Sequence, residues 1–135
     1  MACVFCTGVA AAGELLFEDE WSWVLLHPDR SPRGHAMVVA KRHAENASNL
    51  DEDEWGRLAR TFRRAERVLL EVTGKERAIV MKLGIQTPHL HLHIYPMSAT
   101  ATREEVFAAI DGKRHEPHDE NFAAECRSRL TADTH

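Results

Sequence analysis

The segment His89-Leu90-His91-Leu92-His93-Ile94-Tyr95 alternates imidazole with aliphatic side chains, then ends on a tyrosine. Strict alternation marks a half-buried strand, because successive side chains leave opposite faces and residues two apart are separated by about 6.8 Å. On this reading His89, His91 and His93 share one face, and Leu90, Leu92 and Ile94 fill the other. An aliphatic face of that kind has to be covered by a second layer, so the segment belongs to a packed sheet. The strongest helical signal lies upstream. Trp55, Leu58, Phe62, Ala65, Leu69 and Val72 recur at three- and four-residue steps and predict one apolar face on a helix from about Asp51 to Thr73. Asp51 and Glu54 form an acidic capping box at its start, and Gly74 supplies a left-handed stop.

The remaining elements follow from shorter patterns. Glu14 to Glu18 and Trp21 to His27 are apolar runs on either side of Asp19-Glu20, a β-hairpin signal. His27 to Gly34 contains Pro28, Pro32 and a glycine and reads as a loop. Ala36 to Ala40 and Arg77 to Leu83 are strand candidates. Thr102 to Ile110, capped by Thr102, and Glu120 to Leu130 are shorter helices. The pattern is α+β, with strands close enough in sequence to pair antiparallel.

Composition limits the function classes. A chain of 135 residues, 44% hydrophobic, is expected to form a single domain over 1–135 with a core of its own. The net charge is -4 and no basic block is present, which argues against a nucleic-acid polymer as partner. No apolar run suits a membrane span and no signal peptide is recognisable, so the expectation is a cytoplasmic protein without a membrane partner. Three cysteines, Cys3, Cys6 and Cys126, are too few for a disulfide framework. The Cys3-x-x-Cys6 pair reads either as half of a zinc site or as two semi-buried thiols.

Three histidines on one strand face call for a chemical reason, since polar strand faces ordinarily mix Thr, Lys, Glu and Arg. Imidazole is neutral and nucleophilic near pH 7 and also binds metals. Three ligands on one flat strand converge poorly on a single ion, which makes an all-histidine metalloenzyme the weaker option.

The segment resembles the His-apolar-His-apolar-His-apolar-apolar signature of the histidine triad (HIT) superfamily of nucleotide hydrolases and transferases. The likeness takes in Cys3-x-x-Cys6, Gly34-His35 leading to Lys41-Arg42-His43, the long helix, and Gly84-Ile85-Gln86-Thr87-Pro88. It spans roughly residues 1–97 and leaves about 98–135 as a C-terminal helical extension. The resemblance implies a HIT-like fold with an antiparallel sheet of about five strands, the long helix on one side, and commonly a homodimer. It implies cleavage at the α-phosphate of adenine or guanine nucleotides, with dinucleoside polyphosphates or nucleoside phosphoramidates as substrates. His91 would attack phosphorus and form a nucleotidyl-histidine that water hydrolyses. His93 would donate to non-bridging oxygens, and Gln86 to the bridging oxygen or the phosphate. His27, Gln86, Thr87 and His93 would bind substrate. Cys3, Cys6, His43 and His89 would hold a structural Zn²⁺. A nucleotide- or zinc-binding regulatory protein with little turnover is the alternative.

Some positions depart from the family pattern. His27 stands where many relatives have an acidic residue for the ribose, Ile85 where asparagine is common, and Met97 where an arginine follows the proline; Arg103 is a candidate substitute. His35 is expected to be structural or one step removed from substrate. His115, His118 and His135 are expected to lie on a solvated surface, and Phe5, Phe17, Trp23, Leu25 and Met37 are apolar candidates for a base pocket.

Overall fold

A computed structural model describes residues 3–117 and 121–132. Among them, a short helix α1 (Val4–Thr7) precedes the strands β1 (Glu14–Glu18), β2 (Ser22–Leu26) and β3 (Ala36–Ala40). The long helix α2 (Glu52–Thr73) then leads to β4 (Arg77–Met81) and β5 (His91–Met97), followed by helices α3 (Arg103–Ile110) and α4 (Phe122–Ala132). The five strands form one antiparallel sheet in the order β1-β2-β3-β5-β4. This is the α+β architecture that the pattern and the resemblance predict.

Local chemistry sets most of these limits. The β1–β2 turn is organised by Asp19, whose Oδ1 accepts from the Trp21 and Ser22 N–H groups at 2.8 Å and from the Ser22 hydroxyl at 2.9 Å. Helix α2 starts at the predicted capping box, with the Glu54 N–H donating to Asp51 at 2.8 Å and the Asp51 N–H to Glu54 at 3.0 Å. It stops at Gly74, φ 71°. Thr102 caps α3 in the same way. The helix expected from Glu120 begins at Phe122 among the described residues; Glu120 lies outside them.

The sheet divides the molecule into two environments. One face carries Val24, Leu26, Ala36, Val38 and Ile94, which pack with Leu58, Ala65 and Leu69 of α2 and with Phe122, Cys126 and Leu130 of α4. The predicted stripe of α2 is largely realised, with two exceptions. Trp55 is 40% exposed, and Thr61 is buried because its hydroxyl donates to Asp19 Oδ2 at 2.8 Å. The opposite face holds Leu25, Met37 and Val39 with Phe5 from α1, and next to them the side chains of His91 and His93. Helix α2 thus supports the strand that bears the histidines from behind. Gly34, φ 87°, precedes β3 where the chain passes close to Thr73 and Pro96; a Cβ there would lie 2.7 Å from Thr73 Cγ2.

The structure corrects one expectation about the histidine strand. β5 begins at His91, so His89 does not project from it in register with the other two. The turn after Pro88 takes the His89 N–H to Thr87 O at 2.8 Å, and the Leu90 N–H goes to Ala44 O at 2.6 Å instead of entering the ladder. Likewise β2 is Ser22–Leu26 and β4 ends at Met81, which leaves Trp21, His27 and Leu83 outside the strands.

Candidate active site and metal centre

A cavity of about 390 Å³ opens on the histidine-bearing face. His91 and His93 of β5 form its floor with Met37 of β3, while Gln86 and Thr87, from the segment between β4 and β5, line another side. His27, just after β2, and His35, just before β3, complete the polar wall with Asp29. Phe5, Leu83, Ile85 and Ile110 add apolar surface, and Ile85 is 84% exposed. Of the apolar candidates, Phe5 and Met37 line the cavity, whereas Phe17, Trp23 and Leu25 pack in the cores. Arg103 lies over the Phe107 ring, 4.8 Å from its centroid, and does not line the cavity. Among the described residues, no lysine or arginine lines it, and Asp29 is its one carboxylate.

His91 is held by its own strand. Its Nδ1–H donates to the backbone oxygen of His89 at 2.6 Å, so the other ring nitrogen, Nε2, carries the lone pair. Burial lowers its pKa below that of an ordinary histidine, Lys82 and His27 push the same way, and the bond to His89 O opposes them. The ring is therefore neutral at pH 7 and suited to act as a nucleophile.

His93 sits in a column of rings. Its Nδ1 is 2.9 Å from His35 Nε2, and His35 Nδ1 is 2.8 Å from Asp29 Oδ1. His35 is stacked between Tyr95, 4.2 Å between centroids, and His27, 4.3 Å. His27 Nδ1 lies 2.9 Å from the same Asp29 oxygen. Although burial raises the Asp29 pKa, the hydrogen bonds from His27 and His35 outweigh it and hold the carboxyl well below the usual range. His27, Asp29 and His35 close on one another through these bonds and not on a common point: the His27 and His35 planes are stacked 11° apart, so their in-plane lone pairs do not converge on one ion. Asp29 was not among the candidate site residues read from the sequence, and His35, expected to be structural or one step removed from substrate, lines the cavity and bonds to His93. His115 is not simply solvated, since its Nδ1–H donates to Asp29 O at 2.6 Å; His118 and His135 lie outside the described residues.

Burial, followed by the charges of His35, His91 and His27, pushes the His93 pKa down to about 3. The folded pKa thus lies below the value of about 6.5 for a free histidine. The unfolded chain then takes up a proton that the folded chain refuses, so the stability present above about pH 6.5 is lost progressively as pH falls towards 3. Denaturant unfolding from pH 7 to pH 4 should display this loss, and His93→Gln, which cannot titrate, should flatten the dependence. An unchanged slope in that variant would remove His93 from the account.

His89 faces a second cluster. Its Nε2–H donates to Ala40 O at 2.6 Å, which leaves Nδ1 unprotonated and directed at Cys3 Sγ, 3.3 Å, Cys6 Sγ, 3.7 Å, and His43 Nδ1, 3.0 Å. Cys6 Sγ and His43 Nδ1 are 3.2 Å apart, and all four donor atoms fall within 4.8 Å of one another. Bonds of about 2.0–2.3 Å arranged tetrahedrally place donors about 3.3–3.8 Å apart, so the two thiols and two imidazoles fit a closed tetrahedral ion such as zinc. The carbonyl that fixes the His89 ring is the outer hydrogen bond that metal-binding histidines ordinarily make.

The HIT domain family profile matches residues 10–100. The chain belongs to the HIT domain family. Among solved structures, a zinc-bound histidine triad family protein from Mycobacterium smegmatis superposes with a TM-score of 0.74 at 22% identity, covering 98% of this chain and 95% of that one. A hypothetical histidine triad nucleotide-binding protein from Sulfolobus tokodaii gives a TM-score of 0.69 at 21% identity, covering 96% and 90%. An uncharacterized HIT-like protein of Methanocaldococcus jannaschii is 26% identical over 100 residues, 70% of this chain and 78% of its own. The shared fold is that of HIT proteins. No helix among the described residues is long and apolar enough to cross a membrane.

Proposed function

We propose that this HIT protein cleaves nucleotides at the α-phosphate, as a hydrolase or nucleotidyl transferase, through a covalent nucleotidyl-histidine on His91. The observation that carries the reading is the 2.6 Å bond from His91 Nδ1–H to His89 O, which leaves Nε2 unprotonated on a ring that lines the cavity. Nε2 attacks phosphorus, the bond to the leaving group breaks with its electron pair, and water later releases the monophosphate. Gln86, Thr87 and His27 line the cavity; Gln86 and Thr87 would bind phosphate oxygens, and His27 would meet the ribose. A cavity wall without lysine or arginine suits a substrate with a single phosphoryl group better than a long polyphosphate, so adenylated phosphoramidates rank above dinucleoside polyphosphates. Cys3, Cys6, His43 and His89 would hold Zn²⁺ as a structural ion that anchors the N-terminus to the histidine segment. The expected homodimer and cytoplasmic location belong to the same proposal.

Intact-mass analysis tests the central step. After brief incubation with an adenylated phosphoramidate, a His93 variant slowed in hydrolysis is expected to gain the mass of AMP on His91, and the wild type to release AMP. A panel of adenylated and guanylated substrates would rank leaving groups and bases. Binding without adduct or product would favour the regulatory alternative.

A further inference from the structure

We propose that Asp29 is a positioning residue for His93, acting through His35: the chain Asp29–His35–His93 keeps the proton of neutral His93 on Nδ1 and leaves its Nε2 as a proton acceptor.

The argument is one of donor and acceptor accounting along three side chains. Asp29 Oδ1 takes the Ser31 N–H at 3.0 Å and faces His35 Nδ1 at 2.8 Å. An ionised carboxylate can only accept, so His35 Nδ1 carries a hydrogen. His35 is 2% exposed, with a ring on each face, and burial lowers its pKa against the pull of Asp29. A neutral His35 with hydrogen on Nδ1 has a bare Nε2. That atom is 2.9 Å from His93 Nδ1, so His93 must be the donor. Neutral His93 then has no hydrogen on Nε2. The groups around its ring are His91 and Tyr95 on β5, His35 beside β3 and His27 after β2, with Asp29 beyond His35. This reverses the role that the family resemblance implies, in which His93 donates to non-bridging oxygens: a neutral ring in this tautomer cannot.

The chemical use of this arrangement rests on the nucleotidyl-histidine reading; the tautomer itself does not. During hydrolysis of the adduct, the oxygen of water bonds to phosphorus and the P–N bond to His91 breaks, its electron pair returning to Nε2. One water proton passes to His93 Nε2. The resulting imidazolium still donates from Nδ1 to His35, whose Nδ1–H faces the Asp29 carboxylate, so the new positive charge is stabilised across one intervening ring. His93 then loses the proton to solvent. Two further contacts hold Asp29 in place: its backbone oxygen accepts from His115, and His27 Nδ1 lies against its carboxylate.

Long-range proton–nitrogen NMR of the protein labelled with ¹⁵N on histidine reads ring tautomers without substrate, with His93 assigned by difference from His93→Gln. At pH 7 the wild type is expected to show His93 protonated on Nδ1. Asp29→Asn can turn an amide N–H towards His35 and is expected to convert His93 partly or wholly to the Nε2–H form. His35→Phe, which keeps a ring between Tyr95 and His27 but removes the acceptor, is expected to do the same. In both variants adduct hydrolysis should slow by about 10²-fold or more, the range for a lost proton acceptor, while adduct formation changes less. An Nε2–H tautomer in the wild type overturns the proposal, as does an unchanged His93 tautomer in either variant that keeps the wild-type spectral dispersion. The wild-type spectrum decides even where a variant does not fold, and it is independent of whether the substrate is a nucleotide.

Discussion

Replacing His91 with alanine is expected to lower turnover by about 10³-fold or more and to leave the fold in place. A covalent nucleophile has no partial substitute, because without it both the bond to phosphorus and the second displacement disappear. The structural cost is smaller. The ring touches Phe5, at 4.9 Å between centroids, and makes the one bond to His89 O, so truncation opens space at a cavity wall that solvent can enter. Leaving that carbonyl without its partner costs about 1–3 kcal/mol at most, and water can satisfy it. Monophosphate release measured alongside thermal unfolding separates the two effects. A variant that is folded and retains near-normal hydrolysis would end the nucleophile assignment.

The second large effect is expected from the metal cluster. Protein purified without chelator should carry about one zinc per chain, and Cys6→Ser should bring that close to zero. The domain has its own apolar core, so metal loss is not expected to unfold it as it does a zinc finger. It should still lower the unfolding midpoint by about 10 °C, because α1 and the segment through His43 are joined to His89 by these four side chains. Turnover should fall as well, since the backbone oxygen that orients His91 belongs to His89. Elemental analysis and calorimetry on both proteins check this. Well under one zinc per wild-type chain would remove the metal from the account and leave the nucleotide chemistry standing.

Those features of the molecule that depend on near neighbours in the chain were legible in the sequence. The start and stop of α2 follow from Asp51, Glu54 and Gly74, all local signals, and β3 occupies the predicted Ala36–Ala40. Alternation also announced the histidine-bearing strand, but not its first residue. His89 continues the pattern and yet leaves the ladder, because its direction is decided by bonds to Ala40 and to a cluster that includes Cys3, 86 positions away. Thr61 shows the same limit on α2, where a polar side chain enters an apolar face to reach Asp19, 42 positions distant. Asp29 was the hardest to see. It lies in an irregular loop with no periodicity, and its meaning emerges only when the loop brings its carboxylate against His35 and when β3 and β5 pair to set His35 beside His93. The resemblance supplied the proposed roles of His91 and the zinc ligands, whereas Asp29 and the departure at His27 could be interpreted only from the geometry.

Because helix α2 and the side chains of His91 and His93 sit on opposite sides of one sheet, the two can be altered independently to a large degree. A designer seeking a hardier protein can rework the solvent side of that helix, for instance at Trp55, with the strand pair β3–β5 acting as a partition. Conversely, exchanging residues along the cavity rim to admit other ligands leaves the large apolar core behind the partition untouched.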